Sequence, residues 1–306
     1  MLKKFIVNKD YHDSRFDRWF KHNILNVPQS LIEKLIRKKK IKINSKKIQT
    51  NYRVKLNDII EIYGIDNLKK KDQPKKFKYK ATKQDENKYS KFIIENNDNF
   101  IVINKPSGVP VQSGTKSFKN IIDILKNTKY FENSKPFVVH RLDKETSGVM
   151  IVAKNREYAQ LFTSLFRIRK IHKTYLAVTY GQVKKNISLL KDDLITYDKN
   201  RKIVQKAISY LRVIKCNDNF SLLELKPITG RKHQLRKQLY NIGNPVVGDD
   251  KYFYNIKKNK LKNKNLMLHA YKIKFMINNK KYTYTAPIPE YFVKMLKVKR
   301  LKFSNF

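Results

Sequence analysis

Apolar positions along this chain follow two periods, and the switches between them mark out the elements. Phe16, Trp19, Phe20 and Ile24 recur at helical spacing, with Arg15, Arg18 and Lys21 off the stripe. Ser14, three residues ahead of Asp17, has the chemistry of a helix cap. After Val27-Pro28, the set Leu31, Ile32, Leu35 and Ile36 predicts a second helix. It closes on Arg37-Lys38-Lys39-Lys40, cations that suit the negative end of a helix dipole. The run 41–44, a Ser-Lys-Lys turn and the run 54–63 then alternate as short strands do. Residues 1–64 are thus a small unit of two helices and a sheet, with the stripes as its core.

Residues 65–90 lose this order. They are rich in lysine, carry Pro74 and hold few aliphatics, so a linker extended by self-repulsion is expected. Alternation returns over Phe92–Glu95 and Phe100–Ile103 and runs into Asn104-Lys105-Pro106-Ser107-Gly108, where Pro and Gly force a turn. Further on, Tyr158, Leu161, Phe162, Leu165 and Phe166 predict a helix over 157–169. Residues 184–206 are charged and weakly patterned, the composition of a decorated hairpin. Gly230 ends a strand, and the basic run after it opens a helix whose positive end suits an anion.

One stretch combines order with chemistry. His140-Arg141-Leu142-Asp143 leads through Thr146-Ser147-Gly148 into the β-branched run Val149–Ala153. Phe137-Val138-Val139 precedes it, so Asp143 lies on a tight connection between two core strands, where a rigid scaffold presents a side chain. An aspartate there could equally cap its own turn.

This stretch resembles the signature of the pseudouridine synthases, in the branch that acts on large-subunit ribosomal RNA. Four more elements resemble that family in order: Asn104–Gly108, Lys173-Thr174-Tyr175 with Ala177 and Gly181, Gly230–Arg236 with Gly243–Asp249, and Leu268-His269-Ala270 followed by Ala286–Pro289. Lys232 stands where Thr or Ser is usual, and Lys237-Gln238 where an apolar residue and His are usual. These departures leave the outer face of that helix in question. Residues 1–64 resemble the S-four-type RNA-binding domain.

The resemblance implies an α+β fold: a small αα-β RNA-binding domain (1–64), a basic linker (65–90), and a mixed, largely antiparallel sheet with flanking helices (91–306). It implies Asp143 as the essential carboxylate, Arg236 as the cation paired with it, and Tyr175 stacked beneath a flipped uracil. Arg141 would fill the gap left by the base or bind a phosphate. Arg37, Lys38, Lys39, Lys40, Lys46 and Lys47 would lie along RNA phosphates. The reaction implied needs no redox cofactor and no metal.

Composition bounds this picture. Of 306 residues, 41% are hydrophobic, enough for a sizeable core. Lys+Arg 69 against Asp+Glu 25 leaves a formal net charge of +44, a field that draws polyanions by counterion release. AT-rich coding alone would also favour lysine and thin out glycine, of which there are 8, so charge names no activity. A single cysteine, Cys216, excludes an internal disulfide and a cysteine zinc site. The histidines are scattered, with no ligand spacing for a metal. No apolar run approaches the roughly 18 residues of a membrane span, and the amino terminus lacks a signal-peptide core. A cytoplasmic monomer is expected, its partner large-subunit rRNA or an assembling ribosomal particle, with no membrane partner. Isomerisation of uridines in tRNA or another RNA is the alternative of the same class. A non-catalytic assembly factor is the alternative of another class, and it predicts loss of the carboxylate that Asp143 supplies.

Overall fold

The two amphipathic helices near the amino terminus bury their stripes against a small sheet. In the computed structural model, which describes residues 2–64, 82–112, 119–198, 201–253 and 265–301, the chain forms two units, Met1–Lys76 and Phe77–Phe306. The first runs β1 (Leu2–Ile6), β2 (Ser14–Arg15), α1 (Phe16–Asn23), α2 (Gln29–Arg37), β3 (Ile41–Ile43), β4 (Lys46–Lys47), β5 (Arg53–Val54) and β6 (Ile59–Tyr63). Strand order is β1-β6-β3-β4, with β2 and β5 paired separately. Phe16, Phe20, Ile32, Ile41, Ile60 and Ile62 are fully buried in one core. Ser14 is not the cap expected: it pairs with Val54 in β2, and the cap position falls to Arg15, whose side chain makes no capping bond. Lys46 and Lys47 stand on β4, because Asn44 and Ser45, both at positive φ, alone make the turn. Two consecutive positive φ values are what a tight hairpin needs.

The second unit opens with α3 (Lys83–Ser90), inside the span expected as linker. Thr82 and Asp85 form a reciprocal capping box, and Tyr89 packs into the core, so local hydrogen bonds and one aromatic outweigh the polar composition. Residues 65–81 of the expected linker lie outside the described residues. There follow β7 (Ile93–Asn96), β8 (Phe100–Lys105), α4 (Ile121–Leu125), β9 (Phe137–Val138), β10 (Ser147–Ala153), α5 (Arg156–Arg167) and β11 (His172–Tyr180). Then come β12 (Leu189–Asp198), β13 (Arg201–Cys216), β14 (Phe220–Pro227), α6 (Gln234–Asn241), β15 (Leu268–Ile277), β16 (Lys280–Thr285) and α7 (Glu290–Val298).

Ten of these strands form one sheet, ordered β12-β13-β14-β11-β15-β10-β8-β7, with β16 on β15 and β9 on β10. Every pairing is antiparallel except β10 with β15, which meet in parallel over Ser147–Gly148 and His269–Ala270. The α+β class and the mixed, largely antiparallel sheet are therefore as expected. Gly148 makes that parallel contact: it sits at φ +118°, and a Cβ would fall on the Ala270 backbone. One apolar cluster packs α4 and α5 on β8 and β10; another packs α6 and α7 on β11 and β14. Tyr175 touches both. No helix of the described residues is long and apolar enough to cross a membrane.

Candidate active site

Asp143 lies on the connection from β9 to β10, and the turn at Asn104–Gly108 holds that connection in place. The ammonium of Lys105, fully buried, donates to the carbonyls of Pro106 (2.8 Å), Val109 (2.9 Å) and Lys144 (3.0 Å). The Gly108 amide also donates to Lys144 O (3.0 Å), and the Ser107 hydroxyl donates to Glu145 O (2.7 Å). Two carbonyls beside Asp143 are thus fixed by the preceding turn. Burial pulls the Lys105 pKa down to about 7, against the opposing pull of Glu145 and Asp143. Within the turn that the sequence predicts at Asn104–Gly108, Lys105 is the residue that ties it to the connection carrying Asp143.

Asp143 opens onto a cleft of about 650 Å³. His140 and Arg141 on its own connection, Phe166, Arg167 and Arg169 at the end of α5, Lys173 and Tyr175 on β11, and Thr229–Arg236 line it with Asp143. Asp143 is the one carboxylate among these residues, facing five arginines and two lysines. That asymmetry suits a polyanionic ligand and a single acting carboxylate. His140 accepts the Ile151 amide on Nε2 (2.9 Å) and stacks on Phe166 at 4.6 Å. Burial, then the charge of Lys173, press its pKa down to about 3, so it is a neutral wall of the cleft.

Lys173 and Tyr175 are two apart on β11, so their side chains share a face, and both reach the cleft. Burial lowers the Lys173 pKa to about 8. Burial, then the Asp143 charge, hold the Tyr175 phenol far above its usual range. Tyr175 is therefore a neutral ring with a protonated hydroxyl. Arg141 is exposed at the cleft.

The pairing expected for Arg236 is corrected. Arg236 is buried and forks onto Asp249, Nε to Oδ2 at 2.6 Å and Nη2 to Oδ1 at 2.5 Å, with a further contact to Asp250 at 3.2 Å. Such a fork is the strongest geometry a guanidinium offers, and Asp249 is fully enclosed while Asp143 is open to the cleft. Asp143 instead has His233 Nε2 at 3.7 Å from Oδ1. Neither His233 nor Asp249 was singled out from sequence, although both stand inside motifs already recognised. The question over the outer face of α6 also resolves. Gln238 is fully buried and donates to the carbonyls of Leu190 and Ala207 (3.2 Å each), while accepting from Ser209 Oγ (2.6 Å). It ties α6 to the β12–β13 hairpin and so belongs to the core.

Arg37, Lys38, Lys39, Lys40, Lys46 and Lys47 are all exposed in the first unit, at the end of α2 and on β4.

Comparison with known proteins matches this geometry to a family. The family model described as RNA pseudouridylate synthase covers residues 99–241, which span Asp143, Tyr175 and Arg236. The ribosomal large subunit pseudouridine synthase C of Rickettsia felis is 37% identical over 295 residues, 91% of this chain and 94% of that protein. Its namesake in Buchnera aphidicola subsp. Schizaphis graminum is 32% identical over 301 residues, 94% of either chain. Among solved structures, human RNA pseudouridylate synthase domain containing 4 is 27% identical with a TM-score of 0.61, over 71% of this chain and 96% of that one. The chain belongs to the RNA pseudouridylate synthases, a family of isomerases.

Proposed function

We propose that this protein isomerises uridines to pseudouridine in large-subunit ribosomal RNA, with Asp143 as the catalytic carboxylate. The observation that carries this reading is the lone carboxylate in a cleft whose other charged residues are five arginines and two lysines. The reaction breaks the bond from uracil N1 to ribose C1′, turns the base, and joins C5 to C1′. The proton lost from C5 is balanced by the one N1 gains, so no oxidant or reductant takes part. It needs a base drawn out of its stack into a pocket and a carboxylate beside the sugar. Tyr175, a neutral aromatic ring on the wall of the cleft, stacks on the uracil and offers its hydroxyl for the late proton movement. Arg141, exposed at the cleft, takes the place left by the base or holds a phosphate. Arg236 acts through Asp249, as part of the frame behind the site.

Large-subunit rRNA as substrate is supported by the name shared by the relatives at 37% and 32% identity. The first unit, with the cation run 37–40 and Lys46-Lys47 exposed, acts as an S-four-type RNA-binding domain that supplies affinity without reading sequence. The same reading makes the protein a cytoplasmic monomer.

The test maps pseudouridine across total RNA from cells with and without the protein, complemented by wild type or Asp143→Ala. Large-subunit rRNA sites should vanish without the protein and return only with wild type. Sites confined to tRNA would move the substrate elsewhere. Full rescue by Asp143→Ala would defeat the catalytic assignment and bring forward an assembly role.

A further inference from the structure

The histidine beside Asp143 is held in a left-handed backbone conformation, uncommon for residues other than glycine. His233 stands at the cap of α6 with φ +54° and ψ +30°, the left-handed region. Strain of that kind persists where the surroundings over-determine it, and it gathers at functional sites. The determinants here are explicit. The Gln234 side-chain oxygen accepts from the Thr229 hydroxyl (2.7 Å) and the Arg231 amide (3.0 Å), while its nitrogen donates to Ile208 O (3.1 Å). Gln234 is itself buried, so the turn 229–233 is locked from below and His233 is turned toward the cleft.

The imidazole then has one neighbour on each nitrogen. Nδ1 lies 2.9 Å from the Tyr252 hydroxyl, and Nε2 lies 3.7 Å from Asp143 Oδ1. Tyr252 is set in turn by Asp249, whose Oδ1 accepts the amides of Lys251 (2.9 Å) and Tyr252 (3.0 Å). Arg236 forks onto that same carboxylate and lies 5.3 Å from the Tyr252 ring centre. An uninterrupted series of contacts therefore runs from Arg236 through Asp249, Tyr252 and His233 to Asp143.

We propose that His233 is the positioning residue for Asp143, held by the Tyr252 hydroxyl as the tautomer whose Nε2–H points at the carboxylate. This rests on the reading of Asp143 as the catalytic carboxylate. At 3.7 Å the contact is too long for a hydrogen bond, and a small side-chain rotation closes it when substrate enters. The groups facing the imidazole are Asp143, Tyr252, Arg236, Lys251 and Lys232. Burial and the three cations favour the neutral ring, and Asp143 opposes them. A neutral donor aims the carboxylate without neutralising it, as an ion pair with a protonated ring would.

The experiment combines ring ¹⁵N spectra of His233 with single-turnover kinetics on a uridine-containing rRNA fragment. At neutral pH the spectra should show Nε2 protonated and Nδ1 accepting, and Tyr252→Phe should mix the tautomers. His233→Asn is the backbone control, because asparagine takes the left-handed region readily but is too short to reach Asp143. It should melt like wild type yet lose about tenfold to a hundredfold in rate, with RNA affinity changed by less than about twofold. His233→Gln, whose amide nitrogen reaches the Nε2 position, should recover part of that loss. An Nδ1-protonated ring in wild type, or a His233→Asn rate equal to wild type, overturns the proposal. Asp143→Ala separates the two levels. If it turns over, the reading of Asp143 itself fails; if it is inactive while His233→Asn is fully active, only the role of His233 fails.

Discussion

Two buried residues show how single side chains hold this site, and each gives a test. Lys105 satisfies three carbonyls from one ammonium. Lys105→Met keeps its length but takes the donor from the Pro106 and Val109 carbonyls, while Lys144 O keeps the Gly108 amide. A loss of roughly 2–4 kcal/mol is expected in urea denaturation, at about 1–3 kcal/mol for a stranded buried group with partial relaxation. An unchanged midpoint would mean that the turn holds without the lysine. His269 lies under the parallel contact of β10 and β15. Its Nδ1 accepts the Ser147 hydroxyl at 2.9 Å, and its Nε2–H points at Ala286 O, 3.4 Å away. Burial lowers its pKa to about 4, with the Ala286 bond opposing. The unfolded chain, with an ordinary histidine near 6.5, therefore binds more protons between about pH 4 and 6.5. Stability from His269 is complete above that window and is lost as pH falls through it, by about 2 kcal/mol at pH 5. His269→Asn, which still accepts from Ser147 but does not titrate there, should flatten the stability–pH slope between pH 6.5 and 4. Identical slopes in the two proteins would remove His269 from the acid response.

At the scale of elements, a glycine-poor chain has to end its helices by other means. Three helices close with the same paired backbone bonds over a left-handed residue: α2 at Lys39 (φ 58°), α5 at Arg169 (φ 61°) and α7 at Arg300 (φ 53°). In α7, for example, the Leu301 amide returns to Leu296 O and the Arg300 amide to Lys297 O, with Leu296 and Leu301 both buried. Glycine is the usual residue at such a position, and α6 does use Gly243. A side chain there costs about 1 kcal/mol, so Arg300→Gly should raise stability by roughly 0.5–1 kcal/mol in thermal or urea melts. A destabilised variant would show that the arginine side chain contributes more than the strain removes. The same scale explains what was legible in sequence. Helices α1, α2 and α5 and strands β8 and β10 were legible because one face or both are apolar at a clear period. Helix α3 was not, because a capping box and one buried tyrosine hold a segment of linker-like composition. The β12–β13 hairpin was visible only as a region, since charged residues along both strands blur the alternation. The motif positions of Asp143, Tyr175 and Arg236 were equally plain. Which carboxylate Arg236 would choose was not, because Asp249 reaches it only through the turn after α6.

For the whole molecule, the question is how a net charge of +44 divides between holding RNA and acting on it. The first unit exposes Arg37, Lys38, Lys39, Lys40, Lys46 and Lys47, while the cleft of the second is lined by its own arginines and lysines around Asp143. Chemistry asks for a few cations placed within hydrogen-bonding reach of one nucleotide. Affinity asks for many, placed with less care, because counterion release depends on how many phosphates are neutralised. The two sets of cations fit those two demands. Deleting residues 1–64 should therefore weaken RNA binding and flatten its salt dependence, by up to about four in the slope of log affinity against log salt if all six cations meet single-stranded phosphates. Isomerisation of RNA supplied in excess should persist, because Asp143, Tyr175 and His233 all belong to the second unit. Filter binding across a salt series, run beside pseudouridine formation at saturating RNA, measures both. A slope that does not change on deletion would place affinity in the cleft and leave the exposed lysines of the first unit as coding bias.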